Sequence, residues 1–142
     1  MVLDTTVLVY SVGDQHRFQE PCRRLLSAAG AGTILCTTTP EVLQEFAHIR
    51  ARRRTRADAA ELAESFTDLL GPLLTIDERG LRAGLRTFRA HPPLGAFDAV
   101  LIATAITAGA TAVVSADSAF ADVTGIRHIV PDSDGVAELI RS

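Results

Sequence analysis

Phe97-Asp98-Ala99-Val100-Leu101-Ile102-Ala103-Thr104-Ala105 is the stretch on which the fold turns. With Ile106 added, it spaces apolar residues so closely that a helix built from it has no polar face. Such a helix belongs inside a protein. Gly95 stands before it and Gly109 after it, where glycine takes the left-handed backbone that closes a helix. The run is too short to cross a bilayer. Its one ionisable group, Asp98, falls in the first turn, where free amides and the helix dipole favour a carboxylate. Taken alone, Asp98 is an ordinary helix-start aspartate.

Working outward, the segments on both sides alternate between strand-like and helix-like patterns. Met1–Asp4 reads as a strand ending at Asp4, with a turn into a helix over Thr5 to Tyr10. Gln15 to Ala29 carries Phe18, Cys22, Leu25, Leu26 and Ala29 at helical spacing and stops at Gly30-Ala31-Gly32. Thr33–Cys36 is a second strand. Thr38 or Thr39 caps a helix that begins at Pro40 and buries Val42, Leu43, Phe46, Ala47 and Ile49. Glu41, Glu45 and His48 share another stripe of that helix. Asp58 is expected to cap the next helix, which runs to Leu70. Leu73–Ile76 is a third strand, and Asp77 starts a helix through Leu81, Leu85 and Phe88. After the buried helix come a fourth strand, Ala112–Ser115, a short fifth, Arg127–Val130, and a terminal helix from Asp134 to Ile140. This alternation predicts one α/β domain over residues 1–142 with a mainly parallel five-stranded sheet. Right-handed crossovers then bring the C-terminal ends of all strands to one edge, where ligands of such sheets bind.

Composition narrows the setting. At 47% hydrophobic and 22% charged residues, an ordinary soluble globular domain is expected. Asp4 stands where a signal peptide needs basic residues, and no apolar run spans a bilayer, so cytoplasm is expected. Cys22 and Cys36 have no ligand-like spacing and read as reduced thiols. The net charge of −3 does not suggest a nucleic-acid binder, yet every basic residue apart from histidine is arginine. Arginine offers a planar fork that suits phosphate and carboxylate, although genome base composition also produces lysine-free chains.

Topology then assembles the acids. Asp4 and Asp117 fall at or just beyond strand ends, Asp98 opens the helix that begins near the same edge, and Glu45 lies in the second turn of the helix after strand two. Each has a bland reading: Asp4 a cap, Asp117 the head of a turn before Ser118, Glu45 a solvated surface group. Together they imply a site for an oxygen-preferring divalent cation, because bare carboxylates at close range repel. Mg²⁺ or Mn²⁺ suits that donor set.

The motifs VLDTTVLVY (2–10), TPEVLQEF (39–46), FDAVLIATA (97–105) and VVSADSAF (113–120) resemble, in order, those of PIN-domain nucleases. The likeness is strongest to the toxin subunits of bacterial VapBC-type toxin–antitoxin pairs. The resemblance implies an α/β/α sandwich with sheet order 3-2-1-4-5 and metal-dependent hydrolysis of phosphodiester bonds in RNA. It places the family's acidic set on Asp4, Glu45, Asp98 and Asp117, with Asp4, Asp98 and Asp117 holding Mg²⁺ or Mn²⁺. Ser115 falls at a supporting hydroxyl position, and Thr6 stands where members more often carry Asn or Ser. Asp122 is a further acidic candidate. A cognate antitoxin, an RNA substrate, a homodimer and no membrane are the partner expectations.

Rival chemistries lack their residues. A receiver domain needs a lysine, a haloacid-dehalogenase-type phosphatase needs an aspartate where Thr6 stands, and a P-loop needs its glycine-rich loop. The alternative from another class is a non-catalytic RNA- or protein-binding module on the same fold. Arg50, Arg52, Arg53, Arg54 and Arg56 form a run that reads either as a solvated helix end or as a contact for RNA or antitoxin.

Overall fold

The computed structural model describes residues 1–141. Three short parallel strands, β1 (Val2–Leu3), β2 (Ala112–Val114) and β3 (Arg127–Ile129), pair in the order β1-β2-β3. Val2 is in register with Val113, and Val113 with His128. Around them lie α1 (Thr5–Val12), α2 (Gln19–Gly30), α3 (Pro40–Arg53), α4 (Arg56–Leu70), α5 (Glu78–Ala90), α6 (Ala96–Thr107) and α7 (Ser133–Arg141).

The expected five-stranded sheet is therefore corrected to three strands among the described residues. The chain at the two expected extra strands still lies where order 3-2-1-4-5 puts it. Leu3 donates its amide to the Thr37 carbonyl at 2.9 Å, Thr37 donates to Met1 at 3.0 Å, and Leu74 donates to Thr38 at 2.9 Å. A ladder does not grow from these bonds because threonine hydroxyls compete for the carbonyls. Thr38 Oγ1 donates to Leu3 O at 2.7 Å, and Thr37 Oγ1 to Pro72 O at 3.0 Å. Val2 and Thr37 thus form only an isolated parallel bridge, and Leu35, expected inside a strand, is 85% exposed.

The sheet has apolar matter on both faces. Along β2, Ala112 and Val114 join a large core with Val7, Leu25 and Phe46, while Val113 joins a smaller one with Ile102, Phe120 and Leu94. That alternation is the period-2 consequence of the pleat. α6 contributes Leu101 and Ala105 to the first core and Ala99 and Ile102 to the second. It is not sheathed all round, since Phe97 and Ile106 sit partly in solvent. Gly109, at φ 70°, supplies the left-handed residue expected after it.

Caps agree with expectation at two helices and differ at a third. Thr39 accepts from Val42 N at the start of α3, and Asp77 Oδ1 accepts from Gly80 N at 2.7 Å at the start of α5. At α4 the cap is Thr55, not Asp58: Thr55 Oγ1 accepts the Asp58 amide at 3.1 Å. The Asp58 carboxylate is thereby released to pair with Arg50 at 2.5 Å.

Candidate active site

β1 ends at Leu3, and the Asp4 amide donates to Val114 O at 3.0 Å, so Asp4 leaves the sheet at its C-terminal edge. Its ordinary role is realised: Oδ2 caps α1 by accepting from Thr6 N at 3.3 Å. The same oxygen accepts from Thr6 Oγ1 at 2.7 Å and Ser115 Oγ at 2.8 Å. Oδ1 accepts no hydrogen bond among the described residues. Asp4 is 3% exposed, and a buried carboxylate with one oxygen saturated and the other unclaimed invites a cation.

The two hydroxyls that grip Asp4 also set the neighbouring loop. Thr6 Oγ1 accepts from Ala116 N at 3.0 Å, and Ser115 Oγ accepts from Asp117 N at 3.1 Å. Asp117 is therefore tied through Ser115 to Asp4, and its own Oδ1 caps the 3-10 turn Ser118–Phe120 by accepting from Ala119 N at 2.8 Å. Across the opening, Thr5 Oγ1 donates to Glu45 Oε2. Thr5 was not marked by the sequence, since its partner lies forty positions away and only the fold joins them.

Asp4, Glu45, Asp98 and Asp117 line one cleft of about 310 Å³, together with Thr5, Thr6, Tyr10 and Arg53. Electrostatics reports the same convergence. Burial first, then the charges of Asp4, Asp117 and Glu45 in that order, push the Asp98 carboxyl up to about 6, against a smaller opposing effect of the Gly95 backbone. Three like charges from separate parts of the chain are felt at the Asp98 carboxyl, and that repulsion is costly.

Among the described residues no three His, Cys, Asp or Glu side chains form a ready-made cage for an ion. The carboxylates instead ring the cleft. That arrangement and its all-oxygen chemistry fit Mg²⁺, which keeps several waters and is held by one or two carboxylates plus substrate phosphate, and Mn²⁺, which accepts the same donors.

Other expected groups lie elsewhere. Glu41 does not follow Glu45 into the cleft; it lines a separate groove bounded by α5 and α6, with Oε2 buried and without a hydrogen-bond partner among the described residues. Asp122 is exposed and is not among the cleft residues. Burial pushes the free thiols of Cys22 and Cys36 up to about 12 and about 11, so neither is a thiolate nucleophile at neutral pH. The arginine run divides. Arg50 is held by Asp58 and by Val12 O at 2.9 Å, and Arg54 by Asp14 at 2.9 Å. Arg52 and Arg56 are exposed away from the cleft, while Arg53 lines it.

A parallel α/β domain whose strand ends gather acidic residues defines a class, and the comparisons agree with it. The PIN domain profile matches residues 1–126. The chain is 47% identical over 144 residues to ribonuclease VapC7 of Mycobacterium tuberculosis, covering 99% of this chain and 97% of that protein. It is 25% identical over 129 residues to the VapC ribonuclease Mb1869c of Mycobacterium bovis and, equally, to ribonuclease VapC13 of M. tuberculosis; 91% of this chain and 98% of each relative are covered. The chain belongs to the PIN-domain family, in its VapC branch.

Proposed function

We propose that the protein is a Mg²⁺- or Mn²⁺-dependent endoribonuclease, the toxin of a type II toxin–antitoxin pair, cutting structured RNA such as tRNA or rRNA. The observation that carries this reading is the cleft itself, where Asp4, Glu45, Asp98 and Asp117 meet on hard oxygen donors. Likeness to ribonuclease VapC7 over almost the whole chain supports it.

In this reading Asp4, Asp98 and Asp117 hold the cation. When bound, the cation lowers the pKa of its water and stabilises charge on the phosphate. Thr6 and Ser115 fix Asp4 by occupying Oδ2, so that Oδ1 faces its task in one orientation. Glu45, steadied by Thr5, orients the attacking water or completes a second ion site. No nucleophilic side chain is needed, and the sequence offers no convincing catalytic triad.

Cytoplasmic residence, a cognate antitoxin and a homodimer complete the proposal. Among the described residues no helix is long and apolar enough to cross a membrane. Purified protein is expected to cleave structured RNA with Mg²⁺ or Mn²⁺ and to stop in excess EDTA. Equal cleavage in EDTA overturns metal assistance. RNA binding without cleavage in any divalent cation favours the non-catalytic module instead.

A further inference from the structure

A cleft walled by four carboxylates repels the phosphate backbone that it must admit, and a cation at its centre answers that only locally. The flank of the cleft needs positive charge of its own. Among the described residues Arg53 is the one basic side chain that lines it. It lies two helical turns beyond Glu45 on α3, where residues eight apart share a face. Arg53 is exposed, and its guanidinium has no hydrogen bond or ion pair among the described residues, whereas Arg50 and Arg54 are taken by Asp58 and Asp14. A guanidinium at the C-terminal end of α3, lining the cleft and unused by the protein, is suited to bidentate contact with a phosphate.

We propose that Arg53 is the RNA backbone anchor of this cleft, gripping a phosphate beside the bond to be cut, while Arg50 and Arg54 serve the fold. The proposal rests on the reading of the cleft as an RNA-cleaving site and adds to it a division within the arginine run. Arg53 itself reads the charge of the backbone and not the bases.

The test uses full-length protein and a fluorescein-labelled RNA hairpin whose loop offers single-stranded phosphates. Binding is followed by anisotropy at several salt concentrations in the Asp98→Asn background, and cleavage kinetics are followed with Asp98 intact. Arg53→Gln is expected to weaken binding and to flatten the slope of log affinity against log salt by about 0.7, the loss of one single-strand phosphate contact. It should raise KM more than it lowers kcat. Arg53→Lys should restore most of the salt slope, and Arg52→Gln should change neither quantity. An unaltered slope and KM in Arg53→Gln overturn the proposal, as does an equal loss in Arg52→Gln. Loss of antitoxin binding alone, with RNA binding intact, also overturns it. If Asp98→Asn still cleaves RNA as the wild type does, the metal-site reading falls, while the KM of Arg53→Gln continues to judge Arg53. Absence of RNA binding by the Asp98→Asn parent, together with absence of cleavage by the wild type, overturns both.

Discussion

At the scale of single residues, Asp98 separates function from stability. Its carboxyl is raised to about 6 by burial and by Asp4, Asp117 and Glu45, so in the metal-free protein the folded state binds the proton more tightly than the unfolded chain. Between the ordinary value of 3.8 and about 6, the folded state therefore holds more protons, and stability falls as pH rises through that window. Above it the penalty is fully present. Asp98→Asn removes the charge and keeps the shape. It is expected to abolish cleavage while leaving the metal-free protein at neutral pH as stable as the wild type or more so. The advantage of the mutant should shrink as pH is lowered toward 4. Adding Mg²⁺ should raise the melting temperature of the wild type much more than that of the mutant, because only a bound cation stabilises by mass action. Melts that shift alike in both proteins would return Asp98 to a helix-start residue. Of the candidate residues, Asp4, Asp98 and Asp117 were legible because strand ends and helix starts are written in apolar patterns. Thr5 and the fate of Arg50 were not, because each depends on a partner brought near only by packing.

At the scale of elements, the contact of α5 with α6 matters most, since α6 carries Asp98. Gly84 is buried, and a Cβ there would come within 2.5 Å of the Val100 backbone and side chain. Thr87 and Ala83 flank it on the half-buried side. Gly84→Ala is expected to force the helices apart at a cost of about 1–3 kcal/mol, the usual range for overpacking, and to reduce cleavage by shifting the first turn of α6. Urea unfolding with parallel activity measurements checks this; an unchanged midpoint would mean that α5 slides without resistance. The sequence showed that these helices exist but not which face of α5 turns inward. Leu81, Leu85 and Phe88 have the spacing of a core stripe, yet small residues pack on α6 and the large ones face outward. The expected second and third strands failed for a different reason: a β-branched, apolar run has strand character, but ladder growth depends on which carbonyls the hydroxyls of Thr37 and Thr38 have already claimed.

At the scale of the whole molecule, that outward stripe bears on assembly. Leu81, Leu85 and Phe88 stand 45%, 44% and 42% exposed at helical spacing, with Phe97 at 39% beside them. Leu81, Leu85 and Phe97 border a groove of about 550 Å³ that also takes in Ile76 and Val100. A contiguous apolar surface of this kind marks an association site on a soluble protein. The homodimer proposed above would cover it, since a two-fold axis sets one α5 stripe against its copy and lets each serve both sides. The interface would also brace α5 against α6 from outside and so steady Asp98 in its cleft. Sedimentation should then find the wild type as a dimer, and Leu85→Asp, which places a charge in the middle of the stripe, as a monomer that keeps its fold by circular dichroism. Loss of the dimer should lower activity by way of α6 without changing the salt slope of RNA binding, because Arg53 lines the acidic cleft and not that groove. A wild type that remains monomeric at every concentration, or a Leu85→Asp protein that still dimerises, removes the α5 face from the assembly.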